Sequence, residues 1–182
     1  TRDNQNPILN NLVAALGTNN SQLETTFVSG VFKLEKGKHL QKSDRSKVLI
    51  HEKLATQNHL KVGDKFKLQG VSLRDGDAKK GDEIEVEVAG IFSGKKEEKQ
   101  TGLSSDATEN TLYLDYETSQ RLAGYKATDY QVTSAVYYVA NPKNIDQVVT
   151  AVKKAPIDWS KLDLVKNTKA FETISSSITS FK

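Results

Sequence analysis

The sequence predicts an α+β fold, a β-rich portion followed by a helix-on-sheet portion. Three observations predict it. Ile84–Ile91 alternates almost without a break, which places Ile84, Val86 and Val88 in a core and Glu85 and Glu87 in water. Ile145, Val148, Val149 and Val152 fall at i, i+3, i+4 and i+7, one apolar face of a helix. Most of the chain before that helix reads as strand and hairpin, its apolar runs short and bounded by Gly, Asn and Asp.

In chain order, the Asn-rich Thr1–Gln22 carries one apolar patch, Ile8–Leu16, read as a short helix ending at Gly17. Thr25–Leu34 reads as a strand with a bulge at Gly30. Val48–Ile50 is a short buried strand, and Glu52–Asn58 a helical turn or two with Leu54 and Ala55 facing inward. Leu60–Asp64 turns into the strand Lys65–Leu68, where Phe66 and Leu68 share a face. Arg74–Asp82 is a hairpin loop before the Ile84–Ile91 strand. Ser93–Glu109 has hardly an apolar anchor and is expected to be a mobile loop.

Leu112–Leu114 is a further strand, and Asp115 can cap a helix over Tyr116–Ala123 that Gly124 ends. Gln131–Ala140 reads as a strand, from Val132, Val136, Tyr137, Tyr138 and Val139. Asn144 is the expected N-cap of the helix that follows, with Gln147 three residues on. Lys153 and Lys154 complement its last turn and Pro156 stops it. A strand over Leu162–Val165 then completes a strand–helix–strand unit. The tail places Phe171, Ile174, Ile178 and Phe181 at spacings of 3, 4 and 3, a heptad-like stripe on a Ser/Thr-rich helix. That stripe suits a helix packed on its own sheet, and equally one running on to a partner or a membrane.

The chain has 182 residues, enough to bury a real core. Its longest unbroken apolar run, Ala135–Ala140, is far short of the ~20 residues of a spanning helix. Thr1–Leu16 lacks the basic start and apolar block of a signal peptide. Cys and Met are both absent. The first excludes disulfides, thiolate zinc sites and cysteine catalysis, and the second suggests that Thr1 is not a natural start. The net charge of +3 is too small to imply nucleic acid. Its distribution is uneven: Lys33–Lys67 holds ten basic and four acidic residues, a balance of +6. Such lysines are ordinarily a solvated surface, the alternative being an anionic partner such as a lipid headgroup.

Catalytic signals are thin. His39, His51 and His59 are the only imidazoles, and no carboxylate pair is locked beside them by spacing. No Gly-x-Ser-x-Gly elbow is present. Asp75-Gly76-Asp77 fails as a calcium loop, because Lys79 and Lys80 stand where a ligand and a glycine are needed. Ser93-Gly94-Lys95 fails as a phosphate loop, since Ala89 occupies the place of the first glycine. The reading assigns no catalytic, cofactor-binding or metal-binding residue and predicts that the chain is not an enzyme. The six tyrosines are expected to serve core and cross-strand packing.

The order Gly37, Asp44, Val48-Leu49-Ile50, Leu54-Ala55, then Leu60-Lys61-Val62-Gly63-Asp64-Lys65-Phe66-Lys67-Leu68 resembles the core of MacB-like extracytoplasmic domains. These belong to ABC transporter permeases of the FtsX/MacB superfamily. Val86–Ile91, Thr111–Leu114 and the exit through Asn167, Phe171 and Ile174 continue the resemblance, which covers Phe27 to Lys182. Gly63, Asp64 and Gly90 have turn and strand-end roles in it. The resemblance implies a β-rich lobe (46–125) inserted into a small α/β lobe. Residues 1–45 form an N-terminal segment and the first part of that lobe, and 126–182 its second part and the exit helix. The chain before Phe27 is short and Asn-rich for the first strand–helix–strand half.

The resemblance also implies a non-catalytic domain outside the membrane, coupling cytoplasmic ATP hydrolysis to export of a peptide, antimicrobial or lipoprotein, or to mechanical signalling. Phe171, Ile174, Ile178 and Phe181 would lie on the stalk or coupling helix. The implied partners are a cytoplasmic ATPase subunit, a second permease copy or paralogue, and a peptide or lipid substrate or accessory protein. The absence of Cys and the Lys/Asn-rich composition favour a Gram-positive cell surface; with an outer membrane the location would be periplasmic. The alternative is a cell-surface adhesin or ligand-binding module. A hydrolase using His51 or His59 is the third reading.

Overall fold

The computed structural model describes residues 11–74, 77–97 and 101–167, with the side chains of 73–79 left aside. The chain divides into two compact units, Thr1–Gln131 and Val132–Lys182.

The first unit is built on a mixed six-stranded sheet. Its strands are β1 (Ala14–Thr18), β2 (Phe32–Gly37), β3 (Lys47–His51), β4 (Lys65–Arg74), β5 (Asp77–Gly94) and β6 (Thr111–Asp115). The order is β1-β6-β3-β5-β2, with β4 pairing the first half of β5. β1 runs parallel to β6 and β3 parallel to β5, while β2 and β4 run antiparallel to β5. Helices α1 (Thr25–Val28), α2 (Glu52–Gln57) and α3 (Tyr116–Leu122) flank the sheet.

Both faces of the central strands are buried, because their residues are apolar at odd and even positions alike. Val48, Ile50, Val86, Val88, Leu112 and Leu114 form one core, joined by Ala55 of α2 and packed by Leu54, Phe66, Leu68 and Leu122. Leu49, Ala89, Phe92 and Tyr113 point the other way, into a second core with Phe32 and Leu40 under Phe27 and Leu34. Two bulges make this possible. Ala89 of β5 is an extra residue against β3, and Glu35 of β2 an extra residue against β5. The parity of β5 therefore changes, so that Val88 and Ile91 share one core while Ala89 and Phe92 serve the other. On the face of the β4–β5 ribbon opposite Phe66 and Leu68 the odd residues form lysine–glutamate pairs toward water, Lys65 with Glu85 and Lys67 with Glu83.

Several sequence expectations hold: β3, α2, β4 with Phe66 and Leu68 on the core, β5, β6, and α3 capped by Asp115. Others are corrected. Residues 14–16 are not helical but lie in β1, because the edge of β6 offers a backbone ladder that a short Asn-flanked helix cannot match. Thr25–Leu34 is not one strand. Thr25–Val28 is a helical turn, Gly30 turns the chain and the strand begins at Phe32; the bulge sits at Glu35. β4 and β5 run on to Arg74 and from Asp77, so the hairpin is longer than its charged sequence suggests. The described part of Ser93–Glu109 is ordered by polar contacts in place of apolar ones. It holds two 3-10 turns, Ser104–Asp106 and Thr108–Asn110, tied by Ser104 Oγ to Leu12 O (2.8 Å) and Thr101 N–H to Asp106 (2.6 Å).

The second unit contains α4 (Ile145–Lys153), its apolar face half-buried, between 3-10 turns at Pro142–Asn144 and Trp159–Lys161. Asn144 makes no side-chain cap; Asn141 instead accepts the Lys143 N–H at 3.0 Å. The strands expected over Gln131–Ala140 and Leu162–Val165 do not form. β-branched and aromatic residues give both segments strand-like composition, but a strand exists only against a partner ladder. Val132, Val136, Tyr137, Tyr138, Leu162 and Val165 are accordingly exposed. Of the six tyrosines, Tyr113 is the one fully buried, and the exposure of Tyr125, Tyr137 and Tyr138 corrects the packing role expected of them. Among the described residues no helix is long and apolar enough to cross a membrane.

Candidate functional site

Two of the three histidines, His51 and His39, are held by hydrogen bonds inside the fold. His51 is buried and closes both of its ring nitrogens: Nδ1 accepts the Lys53 N–H at 3.2 Å, capping α2, and Nε2 donates to Gly94 O at 3.0 Å. Both nitrogens thus face backbone partners inside the fold. His39 Nδ1 lies 3.0 Å from Ser21 Oγ, the spacing of a nucleophile and its base. Yet Ser21 is fully buried, and its oxygen already accepts the Leu40 N–H at 2.9 Å. A hydroxyl that no substrate can reach holds two segments together. His59 is exposed, in the left-handed conformation just after α2 (φ 55°). No group of three or more metal-binding side chains occurs among the described residues.

Burial beneath Phe27 holds the His39 imidazole below its ordinary value of 6.5. Its neutral form is thus favoured by folding. That contribution is full above pH 6.5 and is lost as pH falls through the lower folded value. We expect the urea midpoint to drop between pH 7.5 and pH 5.5, and the drop to shrink in His39→Gln. The carboxylates act in a separate, more acid window. Glu35 is held below 4.5 by the Ser93 hydroxyl and Glu87 below 4.5 by Lys47.

The turn and strand-end residues singled out in the sequence meet on one stretch of β5. Gly63, at φ 94°, donates its N–H to Val88 O (2.9 Å). Asp64 returns Oδ2 to the Lys61 N–H (2.8 Å) and its carbonyl to the Val88 N–H (2.9 Å). Gly90 lies between β2 and β3, where a Cβ would come within 2.9 Å of Lys36 O and 3.0 Å of Leu34 and Leu49 side-chain carbons. Only a glycine fits there without moving the sheet. Beside this stretch, α2 and β2 leave an open cleft of about 530 Å³ lined by Glu35, Lys36, Glu52, His59 and Lys61. Phe171, Ile174, Ile178 and Phe181 lie outside the described residues.

The sequence reading missed the clamp at Asp115. It identified the helix cap, made to the Thr118 N–H at 3.0 Å, but not the second oxygen, which accepts the Lys47 N–H at 2.8 Å. That bond joins residues 68 apart in the chain, so no local spacing announces it.

The arrangement is a scaffold with polar clamps and a lysine-rich flank. The sequence matches the family model described as the MacB-like periplasmic core domain over residues 2–155. It is 30% identical over 165 residues to an uncharacterized ABC transporter permease, YclI, of Bacillus subtilis strain 168. The match takes in 86% of this chain and 32% of that protein, so the chain spans about a third of its relative's length.

Proposed function

Because the chain belongs to the MacB-like periplasmic core domain family of ABC transporter permeases, we propose that it works outside the membrane as a non-catalytic lever. Its task is to carry motion generated by ATP hydrolysis in a cytoplasmic subunit to a substrate or accessory protein on the outer side. The partners would be that ATPase and a second permease copy or paralogue. A peptide, antimicrobial or lipoprotein is the class of substrate proposed. The cysteine-free, Lys/Asn-rich composition fits a Gram-positive cell surface.

One observation carries this reading. His51 is buried with both ring nitrogens bonded to backbone, and the Ser–His pair that looks most like a nucleophile and its base has its serine sealed in the core. Rigidity favours the same role. The central strands are buried on both faces and their bulges are locked by Gly90, so an applied displacement is passed on rather than absorbed.

Residues Phe171, Ile174, Ile178 and Phe181 are proposed as the coupling stripe and the Gly63-Asp64 turn as part of the scaffold. Two charges on that stripe test the lever. Ile174→Asp/Ile178→Asp in the full permease is expected to cut transport at least about tenfold, since a buried unpaired carboxylate costs several kcal/mol. The thermal midpoint of the 182-residue chain should stay unchanged. A chain that unfolds with these substitutions would show the stripe to be core, and transport at the wild-type rate would end the coupling role.

A further inference from the structure

Among the described residues, β1, β2 and β4 each pair on one side only, and these edges are not alike. β2 carries Lys33, Glu35 and Lys36, and β4 carries Lys65 and Lys67. Charges of that kind keep an edge from pairing with another chain, since each would lose water in the new sheet. β1, at the end of the sheet opposite β2, carries none. The charge-free stretch reaches well beyond the strand. From Asn4 to Leu23 there is no Asp, Glu, Lys, Arg or His, in a chain 27% charged.

β1 is also open, and it is firmly placed. Its register with β6 sets Leu16 beside Tyr113, so Leu16 lies on the face of the second core, where it is 44% exposed. Ala15 and Gly17 are exposed as well. On the other face a Cβ at Gly17 would collide with the Ser119 side chain, so α3 lies close against the strand from that side. Alternate amides and carbonyls of such an edge point outward. Among the described residues no hydrogen bond meets them on β1.

We infer that β1 is the surface on which a second copy of this chain docks, edge to edge about a two-fold axis at Leu16. The paired strands run antiparallel, with Ala14 opposite Thr18, Ala15 opposite Gly17 and Leu16 opposite its own copy. The lack of charge selects this occupant. A two-fold contact sets side chains against their own copies, so a charge near the axis meets its like. A different partner could answer a charged edge with opposite charges, and the edge would not need to be free of them. Size sets the strength. A five-residue pairing is small beside the ~1,200 Å² of a stable interface, so the contact is weak between dissolved chains and forms when two copies share a membrane. That setting rests on the permease reading proposed above, for whose second copy it supplies the meeting surface; the pairing itself is a property of the chain.

The test is sedimentation of the 182-residue chain at concentrations up to about 1 mM, the range that tethering reaches. The mean mass is expected to climb from monomer toward dimer. Leu16→Lys and Leu16→Glu should each weaken association at least about tenfold, because like charges then face each other on the axis. Their thermal midpoints should stay near the parent's, since Leu16 is exposed. An equimolar mixture of the two should regain association, a recovery that damage to the fold would not give. The chain has no cysteine, so Leu16→Cys supplies a single thiol. A short bismaleimide should link it to its copy and should leave Gln57→Cys, exposed at the end of α2, unlinked. A chain that stays monomeric throughout would overturn the inference and leave the edge to another segment. So would charge variants that associate like the parent, a mixture that stays monomeric, or equal linking at positions 16 and 57. Transport by the full permease is a separate readout, so failed pairing with coupling intact removes this surface alone.

Discussion

Phe92→Ala is expected to cost about 4 kcal/mol, the range of phenylalanine truncations in well-packed cores. Phe92 is fully buried on β5 and is the hub of the second core. Its ring meets Phe32 at 4.9 Å between centroids, His51 at 5.4 Å, and Phe27 and Tyr113 each at 5.7 Å, mostly edge to face. These geometries add to the apolar burial. Its neighbours are themselves constrained: His51 caps α2, and Tyr113 shares a hydrogen bond with Thr26 at 2.8 Å. They cannot collapse into the gap without giving up polar bonds. A fall in thermal midpoint of about 10–15 °C should accompany the loss. Phe92→Leu keeps most of the volume and should cost about 2 kcal/mol or less. Urea unfolding of both variants decides the point: a Leu variant as weak as the Ala variant would assign the stabilisation to ring geometry instead of to filled space.

Phe92 also shows where sequence reading stops. Ile84, Val86 and Val88 are legible because period-two alternation is a local property of an extended chain, and their placement in the first core follows. Beyond Val88 the bulge at Ala89 changes the parity, and the alternation ceases to say which side a residue serves. Asp115 and the helix it caps are legible for the same local reason, as is the apolar face of α4. β1 and the Gln131–Ala140 segment were misread in opposite directions through one cause. Whether a stretch becomes a strand depends on a neighbour's free backbone, which Ala14–Thr18 finds along β6 and the Val- and Tyr-rich segment of the second unit does not. The site was less legible than the fold. The lysine excess over Lys33–Lys67 is plain in the sequence, but not that six of its ten cations would be matched by Glu35, Glu117, Glu87, Glu109, Glu85 and Glu83. Apart from Glu35, a near neighbour of Lys33 on β2, these partners come from other elements of the fold, and only folding brings them opposite.

Removing the Asp115 carboxylate should be nearly as damaging as emptying the aromatic core. Asp115 is 1% exposed, and its two oxygens serve two elements, Oδ1 the first turn of α3 and Oδ2 the first residue of β3. Loss of the cap costs about 1 kcal/mol. The orphaned Lys47 amide, at the start of the central strand β3, adds about 1–3 kcal/mol. Asp115→Ala is therefore expected to cost about 3 kcal/mol in urea unfolding. Asp115→Asn should not rescue it, because the amide turns one of the two oxygens into a donor facing another N–H. Asp115→Ser should recover the cap alone, about 1 kcal/mol. Thr118 makes the geometry testable as a unit: its Oγ1 accepts the Ser46 N–H at 2.9 Å, one residue from the bond made by Asp115. Both side chains hold the same strand entry, so Asp115→Ala and Thr118→Ala should be non-additive by about 0.5 kcal/mol or more. Additive losses, or an Asp115→Ser variant as stable as the parent, would mean that the contact to Lys47 contributes nothing and that β3 is held in place by its ladder alone.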